Sequence, residues 1–176
     1  MFRPGALAAV SLLVLALTAP GLTGCSLDVR ADAAQGVARF LDAVHDGDRK
    51  AFEASIDRPA LRSALRGQLA DLARANGLDV EGGASDFALD RMITPEAFRL
   101  VEARSGRPVP AAPTAAQVAV LMKVADKSHV CLGDPSQARC ILSFAKRDGV
   151  WRLTGMQATE LKVVALPPPP AAKAKR

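Results

Sequence analysis

Cys140-Ile141-Leu142-Ser143-Phe144-Ala145-Lys146-Arg147-Asp148-Gly149-Val150-Trp151-Arg152-Leu153-Thr154-Gly155-Met156 reads as a β-hairpin folded about Asp148-Gly149. That dipeptide accepts the positive φ angles of a two-residue turn whose twist matches the flanking strands. The register that follows pairs Arg147 with Val150 and Phe144 with Leu153. Alternation then puts Cys140, Leu142, Phe144, Trp151 and Leu153 on one face, and Ser143, Arg152 and Thr154 on the other. An apolar sheet face of this kind needs a cover, and the residues before it supply helices.

From Asp32 onward, Val37, Phe40, Leu41 and Val44 fall at i, i+3, i+4 and i+7, one apolar stripe of a helix. Gly47 stops it. Asp48 caps a short second helix carrying Phe52 and Ile56, and Asp57 caps a third, with Pro59 in its first turn where no N–H is needed. Leu61, Leu65, Leu69 and Leu72 run down the expected buried face, and Asn76-Gly77 is a left-handed stop. Residues 79–86 read as a polar loop, 87–93 as a short apolar stretch, and Thr94-Pro95-Glu96 as the start of another helix bearing Phe98 and Val101. Three prolines make 105–113 irregular. Over 118–124 the alternation of Val118, Val120, Met122 and Val124 favours a strand, although Val118, Leu121, Met122 and Ala125 also fit a helix. Residues 128–132 read as a further strand. The expectation is an α+β fold over 32–166, with N-terminal helices packed on a C-terminal antiparallel sheet of three to four strands. A chain of 176 residues, 49% of them hydrophobic, has room for one such core.

The N-terminus has a different character. Arg3 precedes an apolar run over 5–19, shorter than a membrane span but suited to a secretion signal. Pro20-Gly21 follows, then Leu22-Thr23-Gly24-Cys25. This tetrapeptide resembles the bacterial lipobox, an aliphatic residue and two small ones before a modified cysteine. The resemblance implies removal of 1–24, fatty acylation of Cys25 (a palmitate-type modification), and a lipidated tether over 25–31. Ser26, where inner-membrane lipoproteins tend to carry Asp, implies the periplasmic side of the outer membrane. An uncleaved anchor helix, or an ordinary signal peptide with a chance cysteine, is the competing reading.

With Cys25 acylated, Cys131 and Cys140 remain, and an even pair in an oxidising compartment reads as a disulfide. Turn chemistry at Gly133-Asp134-Pro135-Ser136 is expected to set the two cysteines opposite each other on antiparallel strands, the bridge lying on the helix-covered face. The spacing is not the close C-x-x-C of redox or metal sites. The tail from 167 to 176 combines four prolines with Lys173, Lys175 and Arg176 and reads as an extended, disordered basic end. The net charge of +5 is too small to suggest nucleic acid.

Chemistry is sparse. His45 lies among Asp42, Asp46 and Asp48, a pattern open to a cation site or a held general base. The acids lack calcium-loop spacing, and a histidine at a helix C-terminus also answers the helix dipole. His129 reads as a strand residue. No nucleophile elbow, phosphate loop or zinc-protease motif occurs, so no catalytic residue, metal ligand or cofactor is expected. Arg58, Arg62 and Arg66, four apart, form a basic stripe that either faces solvent opposite the leucines or meets an anionic surface.

The stretches 40–48 and 56–69, with Asp57-Arg58-Pro59-Ala60-Leu61-Arg62, resemble an uncharacterised bacterial family of envelope-associated proteins classed as a domain of unknown function. Gly149-Val150-Trp151-Arg152-Leu153 matches its late Gly-x-Trp-x-Leu strand. The resemblance implies caps, core leucines and a hairpin, and no activity. A looser likeness to cone-shaped folds, helices first and a curved sheet after, is an analogy that implies an apolar pocket. The functional expectation is a lipid-anchored, non-enzymatic envelope module, with an unknown envelope protein as partner or a small apolar ligand or lipid as cargo. A filled interior favours the partner; an apolar cavity above about 300 Å³ favours the cargo.

Overall fold

The computed structural model describes residues 24–78, 83–102, 105–133, 140–157 and 162–165. Along the chain run α1 (Gly24–Asp46), α2 (Arg49–Ala54), α3 (Arg58–Ala75), α4 (Asp86–Met92), a 3₁₀ turn (Pro95–Ala97), β1 (Arg99–Glu102), α5 (Ala115–Leu121), β2 (Met122–Val124), β3 (His129–Gly133), β4 (Cys140–Arg147), β5 (Val150–Met156) and β6 (Lys162–Ala165). Strands β2, β3, β4 and β5 form an antiparallel sheet in that order, and helices precede it, which is the α+β arrangement expected. A second, two-stranded sheet pairs β1 with β6 in parallel, a contact joining segments some sixty residues apart that local patterning does not reveal.

The hairpin forms as its turn dictates. Asp148 and Gly149 take φ of 51° and 79°, and Arg147 pairs with Val150 and Phe144 with Leu153. A bulge between Ser143 and Phe144 then leaves Thr154 unpaired, so that Leu142 meets Met156. The disulfide between Cys131 and Cys140 is present, with Cα atoms 5.6 Å apart, but the cysteines are not opposite each other. Cys131 pairs with Ser143, and Cys140 pairs with Gly133 across an irregularity that leaves Ile141 over. Cys131 therefore shares the face of Ser143, behind the sheet, and not the helix-covered face of Val130, Leu132 and Phe144.

The caps act as read. Asp48 accepts from Ala51 N at 3.0 Å and Asp57 from Ala60 N at 3.1 Å; Gly47 and Gly77 take φ of 67° and 69°. The core gathers on Phe40, whose ring meets Phe98 and Phe144 edge-on and Phe52 at a tilt, all within 5.7 Å between centroids. Leu61, Leu65, Leu142 and Leu153 are fully buried around it. Leu72, expected on the buried face, is 51% exposed. Gln68 Nε2 already reaches the carbonyl of Met156, the last residue of β5, at 2.7 Å, so the rest of α3 outruns the sheet.

Tertiary contacts override local pattern in three further places. Residues 25–31 are helix, not tether: Val29 packs on the core, and Arg30 Nη1 donates to the carbonyls of Ala119 at 2.7 Å and Met122 at 2.9 Å. Those same bonds cap the end of α5, which begins at a Thr114–Gln117 capping box and occupies most of the expected strand at 118–124. The helix expected from Thr94 stops after one 3₁₀ turn because Phe98 turns in to Phe40 and β1 follows. The apolar stretch at 87–93 is the helix α4, capped by Ser85.

At Gly36 the backbone of α1 lies tight against the sheet. A Cβ built there would lie 2.6 Å from Trp151 Cβ. Asp32, one turn earlier, accepts from Trp151 Nε1 at 2.9 Å and Lys146 Nζ at 2.7 Å, and these bonds hold its carboxyl below the usual aspartate range. Gly67, in the middle of α3, has open space around its would-be Cβ. The two glycines should therefore respond oppositely in thermal or urea unfolding. Gly67→Ala gains about 0.5–1 kcal/mol of helix propensity, whereas Gly36→Ala loses about 1–3 kcal/mol to overpacking in spite of the same gain.

Candidate functional site

Cys25 is the second residue of α1. Leu22 and Thr23, with most of the expected signal over 1–24, lie outside the described residues, as does the basic tail over 167–176. Two large apolar side chains are exposed, Leu27 in the first turns of α1 at 66% and Val120 near the end of α5 at 71%. Leu27 is one helical turn before Arg30, and Val120 adjoins Ala119, whose carbonyl Arg30 holds. Among the described residues no helix is long and apolar enough to cross a membrane.

Arg58, Arg62 and Arg66 form the stripe expected on α3, but each meets an acid of the same chain. Arg58 binds Glu53 and, at 3.0 Å, Asp90; Arg62 grips both oxygens of Asp90 and reaches Asp86 at 3.5 Å; Arg66 binds Asp86. The stripe is thus a guanidinium–carboxylate ladder that seats α4 on α3, with fork-to-fork geometry at Arg62 and Asp90. Hydrogen bonds from Arg62 first, then from Arg58, lower the Asp90 carboxyl below its ordinary value of 3.8. Pairings 28 and 32 residues apart are not legible in a helical charge pattern.

His45 is the penultimate residue of α1, its Nδ1 2.9 Å from Asp46 Oδ1. It lies at the rim of a cleft of about 530 Å³ walled by Val44, Phe98, Leu100, Val101 and Val109, with Arg99 beside it. Asp42, Asp46 and Asp48 line a different cleft, with Arg39 and the flank of Trp151. Among the described residues no three His, Cys, Asp or Glu side chains are grouped to hold a metal. His129 faces Asp126, whose carboxyl is pulled down to about 2 by the Ser128 N–H and then by the histidine. A third cleft, of about 350 Å³, lies along the end of α3, with Leu69, Ala73 and Leu78 in its wall.

The expected site residues are not assembled into one place. Cys25 lies in the first turn of α1, the arginines bind α4 from α3, and the disulfide closes the back of the sheet. Leu27 and Arg30, absent from any motif, lie in the first turns of α1, and Arg30 ties that segment to the end of α5, which carries Val120.

Residues 33–101 match the model of a family described as a protein of unknown function, DUF2939. The match contains 40–48 and 56–69, which carry the likeness to an uncharacterised family; the Gly-x-Trp-x-Leu strand at 149–153 lies beyond it. No curated protein and no solved structure matches the chain.

The ladder is an acid-sensitive fastening. A carboxyl lowered in the fold contributes stability above its unfolded value and loses it as pH falls through the folded one. Protection of the α4 amides, taken relative to their intrinsic exchange rate, should therefore fall below pH 3.8, ahead of that of β4 and β5, and Asp90→Asn should bring the same loosening to neutral pH. Unchanged protection of α4 in Asp90→Asn contradicts this role.

Proposed function

With residues 33–101 matching a family of unknown function, we propose that this chain is a lipid-anchored envelope protein, held on the periplasmic side of the outer membrane through Cys25. Its α+β domain serves as a non-enzymatic binding module. The observation that carries the reading is the order Arg3, apolar run, Pro20-Gly21, Leu22-Thr23-Gly24-Cys25. The Cys131–Cys140 bridge supports it, because disulfides persist in oxidising compartments. Two or three acyl chains give an anchor that does not let go on the time scale of folding or binding.

A surface role fits the interior. Phe40, Phe52, Phe144, Leu61, Leu65, Leu142 and Leu153 fill the space beneath the helices where a cone-shaped carrier would be hollow. The apolar end of α3, with Leu72 and Leu78 exposed, offers a protein partner a patch with Arg74 at its edge. A second reading, carriage of a small apolar ligand, is favoured by the cleft at Val44, Phe98 and Leu100.

Intact-mass analysis of membrane-extracted protein tests the anchor. The expected species begins at Cys25, carries a diacylglycerol thioether and an N-acyl group, and lacks two hydrogens at Cys131 and Cys140. Cys25→Ser should move the protein to the soluble fraction. A full-length species with Met1 present and three alkylatable thiols rejects the proposal. A retained lipid in native mass spectra, displaced by Leu100→Trp, would favour the second reading.

A further inference from the structure

Resting on the anchor proposed above, we infer that the end of the domain formed by the first turns of α1 and the C-terminus of α5 docks on the phospholipid surface, with Leu27 and Val120 seated among the headgroups. Three observations carry this.

The first is distance. A helix rises about 1.5 Å per residue, so Leu27 lies roughly 3 Å along the axis from Cys25 and Ala33 about 12 Å. Ala33 is already fully buried in the core. A headgroup layer is roughly 5–8 Å deep on each side of the hydrocarbon. A domain joined this closely to its acyl chains, by continuous helix and without slack, reaches the bilayer surface.

The second is which other element comes with it. Arg30 holds the carbonyls of Ala119 and Met122, and side chains on a helix lean toward its N-terminus. The guanidinium therefore carries the last turn of α5 toward the Cys25 end. The third is the chemistry exposed there. Leu27 lies one turn before Arg30 on α1, and Val120 lies in α5 between the two carbonyls that Arg30 holds; both remain about two-thirds or more in solvent, whereas Val29 is packed on the core. Lys123 is exposed just beyond Met122, and Asp28 is exposed beside Leu27. With Arg30 counted, the formal charge of these three residues is only +1, and the guanidinium is engaged with two carbonyls, so apolar seating sets the orientation more than attraction to anionic lipid does.

The test uses the full-length, lipidated and oxidised protein in phosphatidylcholine vesicles. Val120→Cys and, separately, Leu27→Cys carry an environment-sensitive fluorophore; Arg99→Cys is the distal control, because Arg99 shares a cleft with Val44 and His45 at the other end of α1. The expected result is a blue-shifted probe at 27 and 120, quenched by headgroup-nitroxide lipid, with the probe at 99 unquenched. Adding anionic lipid should leave the pattern unchanged. Probes at 27 and 120 as solvent-exposed as the one at 99, on protein whose mass includes the acyl groups, overturn the docking and leave the anchor standing. A mass without acyl groups, together with no vesicle association, overturns both.

Discussion

Trp151 occupies the space that a side chain at position 36 would need. That single exclusion lets α1 lie directly on the hairpin, and the same tryptophan donates to Asp32 one turn away while Lys146 binds the same carboxylate oxygen. Register and helix placement are locked together as a result. Trp151 and Lys146 are cross-strand partners, so Asp32 reads the hairpin register, and the register exists because Asp148-Gly149 turns where it does. Phe40, one turn beyond Gly36, then meets Phe144 on the next strand, and the aromatic core assembles from that seat.

Placing α1 in this way makes it more than one wall of the core. Its C-terminal half meets Phe98 through Phe40, and its N-terminal half is held by α5 through Arg30. The residue proposed to carry lipid belongs to the same helix as the residues that organise the core. In such an arrangement the domain presents one fixed end to the bilayer, and the cleft at Val44 and the apolar end of α3 become surfaces of known position relative to a strut about 34 Å long.

What could be read from the sequence was mostly short in range. The Asp48 and Asp57 caps, the Pro59 start, the Gly47 and Gly77 stops and the Asp148-Gly149 turn each depend on a few neighbouring residues, and each formed where the pattern put it. Structure departs from local pattern where distant contacts decide the outcome. Residues 25–31 looked like a tether because Asp28, Arg30 and Asp32 interrupt any apolar stripe, yet Arg30 finds its acceptors 89 and 92 residues away. The strand expected at 118–124 gives way to α5 because the Thr114–Gln117 box starts a helix there and Arg30, from a distant helix, holds the carbonyls at its end. The cysteines were legible as a pair but not as a bridge behind the sheet, since a bulge cannot be read from spacing. The arginine stripe was legible as a stripe, while its acids on α4 were not.

The central claim is that α1 is one continuous strut from its first turns to its seat on Trp151. Amide hydrogen exchange across residues 28–46, resolved by residue, measures this directly, since the first four amides of any helix lack an internal acceptor. Slow exchange from Asp28 through Asp32, with protection rising without a break into 33–46, is the predicted result. Exchange at the rate of unstructured chain up to Ala33, with protection only beyond it, would restore a flexible tether and contradict the account.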